Sequence, residues 1–177
     1  MSGKSIVHYY ASAMVAVKYT QSILSMGAVN RSLLESVKET IAGGGENLLN
    51  QFVQRMVQLF SMDQGSGKLW VQQVADVAKE AKVGNCQEHA AVAAIFLRDR
   101  GVRPVEYTVL MKNGSYKHAF VVVGRDVDRY TKQLPGDPLS WKGPVIVCDA
   151  WEGYAFAPGK RAIYGSPGDY IVKARWE

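Results

Sequence analysis

Residues 83–97, Val83-Gly84-Asn85-Cys86-Gln87-Glu88-His89-Ala90-Ala91-Val92-Ala93-Ala94-Ile95-Phe96-Leu97, decide the fold. A Gly-Asn connector leads into Cys86, and every residue from Ala90 to Leu97 is apolar. A helix that is apolar nearly all round has no face to show water, so this one is expected to be buried. Its small alanines let neighbouring backbones approach closely. The run stops near Arg98-Asp99-Arg100-Gly101.

Upstream, the chain reads as helices. Val7, Ala11, Met14, Val15 and Tyr19 are spaced for one apolar stripe on a helix over residues 5–26. Asn30 or Ser32 can cap a second helix that carries Leu33, Leu34, Val37 and Ile41 and ends at Gly43-Gly44-Gly45. A third carries Leu48, Leu49, Phe52, Val53, Met56, Val57 and Phe60. Asp63-Gln64-Gly65-Ser66-Gly67 is a loop. A fourth helix follows, with Leu69, Trp70, Val74 and Val77 turned inward.

Downstream, the period changes to that of strands. Residues 105–111 and 117–125 flank Asn113-Gly114, a strong hairpin turn. Residues 126–142 are a polar insertion with two prolines, expected to loop over the surface. Residues 144–149 form a third strand and residues 170–173 a fourth. Helices, then a buried helix, then an antiparallel sheet make an α+β domain, with a helical N-terminal half packed on the sheet. No repeat or convincing boundary divides it. Residues 1–177 read as a single domain, with a helical region over 1–80 and a core with antiparallel sheet over 83–177.

Composition sets the outer limits. The chain has 177 residues, 47% of them apolar, enough to bury about 70% of the surface its unfolded form exposes. Net charge is +5, from 21 basic and 16 acidic residues dispersed along the chain, too thin for a nucleic-acid footprint. No continuous apolar stretch is long enough to span a membrane, and the start lacks the pattern of a cleaved secretory signal. The expectation is residence in the cytosol of the producing cell or export by a route without such a signal. Cys86 and Cys148 are the only cysteines, which does not indicate a disulfide scaffold.

Three residues carry a possible chemistry. Cys86 opens the buried helix, where unpaired N–H groups and the helix dipole favour a thiolate and can build part of an oxyanion hole. His118 begins a strong strand just after a turn, where an imidazole can take the thiol proton and return it to a leaving group. Asp149 ends the apolar run Val145-Ile146-Val147-Cys148, where a carboxylate can fix the imidazole tautomer. Each also has a plainer reading: an inert cysteine, a surface histidine, a turn-forming aspartate. If Asp149 faces a site, strand alternation turns Cys148 to the other face, into the core.

Neighbouring residues are supporting candidates. Asn85 and Gln87 flank the cysteine, and either amide can stabilise an oxyanion. Trp151 can cover the histidine–aspartate pair from water. His89 lies on the same helix face as Cys86, as a core or cleft-wall residue or a substrate contact. It also permits a zinc reading with Cys86, His118 and Asp149, although the second short-spaced ligand pair of a strong structural site is missing. The favoured reading has no metal and no cofactor. Trp151, Tyr154 and Phe156 form an aromatic cluster that either lines a cleft or fills the core. Tyr107 and Tyr116 read as packing residues.

Gly84-Asn85-Cys86-Gln87-Glu88-His89-Ala90, His118-Ala119-Phe120-Val121-Val122-Val123-Gly124 and Val147-Cys148-Asp149-Ala150-Trp151 together resemble the papain-like and transglutaminase-like superfamily. The likeness is greatest to the small versions in bacterial effectors and toxins. It covers residues 83–153 and implies a Cys-His-Asp triad in that chain order. It further implies thioester chemistry on a protein or peptide amide, as in peptidases, glutamine deamidases and transglutaminases. One departure stands out: papain-like peptidases carry a glutamine several residues before the cysteine, and residues 76–82 hold none. A non-catalytic binding module of the same fold is the alternative. The geometric discriminator is a Cys86 sulfur within about 4 Å of one His118 nitrogen, with Asp149 on the other.

Overall fold

The computed structural model describes residues 5–25, 65–126, 133–134, 136–163 and 168–177. The second and third helices expected from the sequence lie outside these residues. Helix α1 spans Ile6–Ile23, and its N-cap Ser5 accepts a hydrogen bond from the His8 backbone N–H at 3.3 Å. The stripe expected on this helix is not the one that is buried. Tyr9, Ala13, Ala16, Val17 and Thr20 face inward, while Val7 and Val15 are 71% and 48% exposed. The cause is close approach. The helix rests on its alanines, near enough for the Cys148 thiol to reach the Ala13 carbonyl at 3.5 Å.

Helix α2 (Lys68–Ala81) buries Val71, Val74, Ala75, Val77, Ala78 and Ala81. Leu69, expected inward, is exposed, and Trp70 is half-buried with its ring edge-on to Tyr107. Helix α3 (Cys86–Asp99) is the buried helix that the sequence announces, covered from Glu88 to Ile95 and again at Leu97. It packs against α1, α2 and the central strands.

The strands are β1 (Val105–Lys112), β2 (Ser115–Val123), β3 (Gln133–Leu134), β4 (Ile146–Asp149), β5 (Tyr154–Phe156) and β6 (Asp169–Trp176). They form one sheet in the order β3-β6-β1-β2-β4-β5, with every neighbouring pair antiparallel. Asn113 and Gly114, at φ 53° and 71°, supply the two left-handed residues of the β1–β2 turn. Two strands are additional to the four expected. Strand β5 takes Tyr154 and Phe156 out of any free aromatic cluster and pairs them with β4. The insertion over 126–142 is likewise not all surface loop: it contains β3, a short 3-10 turn at Pro138–Ser140 and a buried Trp141.

Side chains alternate across the sheet as the pleat requires. Val105, Tyr107, Val109, Ala119, Val121, Ile146 and Cys148 join one core with the three helices. Leu110, Phe120, Val122, Val147 and Tyr170 form a second core on the other face with Trp141, Val145 and Ile163. A buried charge cluster, unannounced by the sequence pattern, joins the strands. Glu106 of β1 accepts from Arg125 Nε at 2.7 Å and Nη2 at 2.6 Å, and from Arg175 Nη1 of β6 at 2.5 Å. Among the described residues, no helix is long and apolar enough to cross a membrane.

Candidate functional site

The geometry of the site begins at the start of α3. Asn85 is the N-cap, and the Glu88 carboxylate reaches back to accept from the Asn85 backbone N–H at 2.7 Å. This folds the buried Glu88 under the connector and satisfies one of the unpaired donors at the helix start. Gly84 makes room for it: a Cβ at position 84 would lie 2.3 Å from Glu88 Cβ. Cys86 is thereby held as the first residue of the helix, half-buried and free of any disulfide. The helix end that favours negative charge is the end that carries the thiol.

His118 and Asp149 come from neighbouring strands. His118 lies near the start of β2 opposite Leu110, and Asp149 closes β4. His118 Nε2 is 2.7 Å from Asp149 Oδ2, with both side chains almost wholly buried. The second carboxylate oxygen of Asp149 accepts from the Glu152 backbone N–H at 3.1 Å, so the turn after β4 fixes the carboxylate. Burial alone would lower the pKa of His118. Hydrogen bonds to Asp149 and Cys86, with the charges of both, outweigh it and raise the value to about 9.

Tyr116 is the site residue that the sequence does not reveal. Its hydroxyl lies 3.4 Å from Cys86 Sγ. The register of the β1–β2 pair steps here: Leu110 opposes His118, yet Met111 opposes Tyr116. Lys117 is the extra residue of a bulge, which turns Tyr116 with Met111 toward the helix-side core. Strict alternation would have left Tyr116 on the His118 face. Burial of the hydroxyl, with the acidic neighbours Tyr107, Cys86 and Glu88, pushes its pKa far up and keeps it neutral.

The remaining expected residues fall into two groups. Gln87 lines a pocket of about 390 Å³ together with Trp70, Val109, Met111, Tyr116 and Lys173, beside Cys86. Asn85 is occupied by the helix start through its backbone: its N–H meets Glu88, and its carbonyl meets His89 Nδ1 at 2.9 Å. His89 is buried against the half-buried Trp151, ring edge to ring face at 5.1 Å. Burial lowers its pKa against the opposing effects of the Asn85 carbonyl and the Asp149 charge. His89 and Trp151 thus form a wall beside the pair. Among the described residues, no group of three or more His, Cys, Asp and Glu side chains is placed to hold a metal. Cys148 lies in the helix-side core, where burial raises its thiol pKa.

Chemically, the arrangement offers a helix-start thiol, an imidazole with an elevated pKa, a carboxylate that orients it and a neutral hydroxyl beside the sulfur. Compared with known proteins, the chain matches no protein-family model, no curated protein and no solved structure.

Proposed function

We propose that this chain is a cysteine-dependent enzyme of papain-like or transglutaminase-like type, catalysing acyl transfer from a protein or peptide amide. One observation carries the reading. A buried histidine 2.7 Å from a buried carboxylate has its pKa raised to about 9 by that carboxylate and by Cys86, the thiol that opens helix α3. Structural cysteines need no such partner, whereas a nucleophile needs both a base and a group to orient that base.

In this reading His118 takes the Cys86 proton, and the sulfur attacks the amide carbonyl carbon. The C–N bond breaks as His118 protonates the departing nitrogen, leaving a thioester on Cys86. Water or a second amine then attacks that thioester, giving up its proton to His118 as the C–S bond breaks. Asp149 keeps the imidazole in the required tautomer and balances its charge. Backbone N–H groups at the start of α3 and the Gln87 amide are the candidate donors to the oxyanion. Peptidase, glutamine deamidase and transglutaminase differ only in the amide cleaved and the acceptor used.

The test is alkylation by iodoacetamide as a function of pH, with the modified cysteine identified by mass spectrometry. Cys86 is expected to react selectively near neutral pH, and His118→Ala to slow it by about a hundredfold or more. Equal, slow labelling of Cys86 and Cys148 that ignores this substitution would leave only a non-catalytic module.

A further inference from the structure

We infer that the pocket beside Cys86 recognises a carboxylate on the substrate, presented on an apolar stem next to the bond attacked. This deepens the proposed function and rests on Cys86 being the nucleophile. The pocket, about 390 Å³, has the volume of a small-ligand or side-chain site. It is joined to the sulfur in two ways: Gln87 follows Cys86 directly, and Tyr116 both lines the pocket and places its hydroxyl 3.4 Å from Sγ.

Its lining is chemically divided. Trp70, Val109 and Met111 give it apolar walls suited to methylene groups. Lys173 is the one charged residue on that lining among the described residues, and it makes no ion pair among them. The Glu88 carboxylate beside Gln87 accepts from the Asn85 backbone N–H at 2.7 Å and from the Gln87 amide at 3.4 Å. A half-buried lysine on an otherwise uncharged lining is a poor host for a cationic group. A carboxylate gives it a charge-assisted hydrogen bond. The source is either an acidic side chain or the carboxylate of a chain terminus.

Three alkylating reagents separate these possibilities. They are N-iodoacetyl-glutamic acid α-amide, N-iodoacetyl-glutamine with its free α-carboxylate, and the neutral N-iodoacetyl-glutamine α-amide. In each, Cys86 sulfur displaces iodide, and the peptide-like portion is left to find the pocket. An acidic reagent is expected to outpace the neutral one by about tenfold, the worth of one charge-assisted hydrogen bond. Which of the two does so names the source. That ratio should fall to about one in Lys173→Met and persist in Lys173→Arg, and because it is taken within each variant, general changes in reactivity cancel. Equal rates with all three reagents, while iodoacetamide labelling remains selective for Cys86 and dependent on His118, overturn the pocket assignment alone. Slow labelling by every reagent, indifferent to His118→Ala, overturns the nucleophile and this inference with it.

Discussion

His118 Nε2 lies 2.7 Å from Asp149 Oδ2, and neither side chain is more than marginally open to water. A buried imidazole next to a buried carboxylate is stable as an ion pair only if both remaining faces are also satisfied. Here the turn after β4 holds Asp149, and Cys86 acts with Asp149 to raise the pKa of His118. Any charge on this pair therefore registers in folding as well as in chemistry.

The first prediction follows from that coupling. The folded pKa of His118, about 9, stands above its ordinary 6.5. Below 6.5 the folded and unfolded chains are both protonated, and the stabilisation is fully present. Between 6.5 and 9 only the folded chain keeps the proton, so stability falls as pH rises, and above about 9 the contribution is gone. Urea midpoints measured from pH 6 to 10 should decline across that window. In Asp149→Asn the decline should be much shallower, because an amide cannot hold the imidazolium.

Tyr116→Phe should alter reactivity without altering the fold. Its side chain is 41% exposed, and the substitution keeps the ring. Only the hydroxyl beside Cys86 is removed. Alkylation of Cys86 by iodoacetamide at neutral pH is expected to slow by about three- to tenfold, the worth of one hydrogen bond that favours the reactive thiolate. The thermal midpoint should stay within a degree or two. A rate equal to that of the unsubstituted protein would show that the contact has no part in the chemistry.

How far the sequence reaches is clearest when Tyr116 is set beside Cys86. The place of Cys86 at a buried helix start is a local property, written in Gly84-Asn85 and the alanines that follow, and the structure has it there. The hairpin at Asn113-Gly114 and the end of β4 at Asp149 are local too. Tyr116 depends on a bulge, which is a relation between two strands and leaves no mark in a single period-two pattern. The stripe on α1 fails for a related reason. Hydropathy ranks Val7 and Val15 above Ala13 and Ala16, but a helix laid close to a sheet buries its smallest residues. Strand β5 is three residues long, too short for any alternation to declare itself.

Glu106→Gln should be among the most costly single substitutions in the chain. Glu106 is 1% exposed and accepts from two arginines, of which Arg125 is itself buried. Removing the negative charge leaves Arg125 buried without its counterion, a loss of about 3–5 kcal/mol. The exposed pair of Lys79 and Asp76 provides the contrast, since Asp76→Ala should cost under about 1 kcal/mol. Urea denaturation of both variants, at a pH where the carboxylates are ionised, tests the difference. Similar midpoints would mean that the Glu106 cluster contributes no more than a surface pair.

Gly84→Ala tests whether the connector positions the nucleophile or merely precedes it. The new methyl carbon would fall 2.3 Å from Glu88 Cβ, a contact that the backbone rather than a flexible side-chain tip must relieve. Relief moves Glu88 away from the Asn85 N–H, and the first turn of α3 shifts with it. Overpacking of this kind costs about 1–3 kcal/mol. The same shift displaces Cys86 from His118, so alkylation near neutral pH should slow well beyond any change in the folded fraction. Pairing the substitution with Glu88→Ala leaves the Cβ contact in place and removes the capping carboxylate, so it should restore neither stability nor reactivity. If Gly84→Ala lowers stability yet leaves Cys86 as reactive as before, the thiol is held by the body of α3, and Gly84 serves the fold alone.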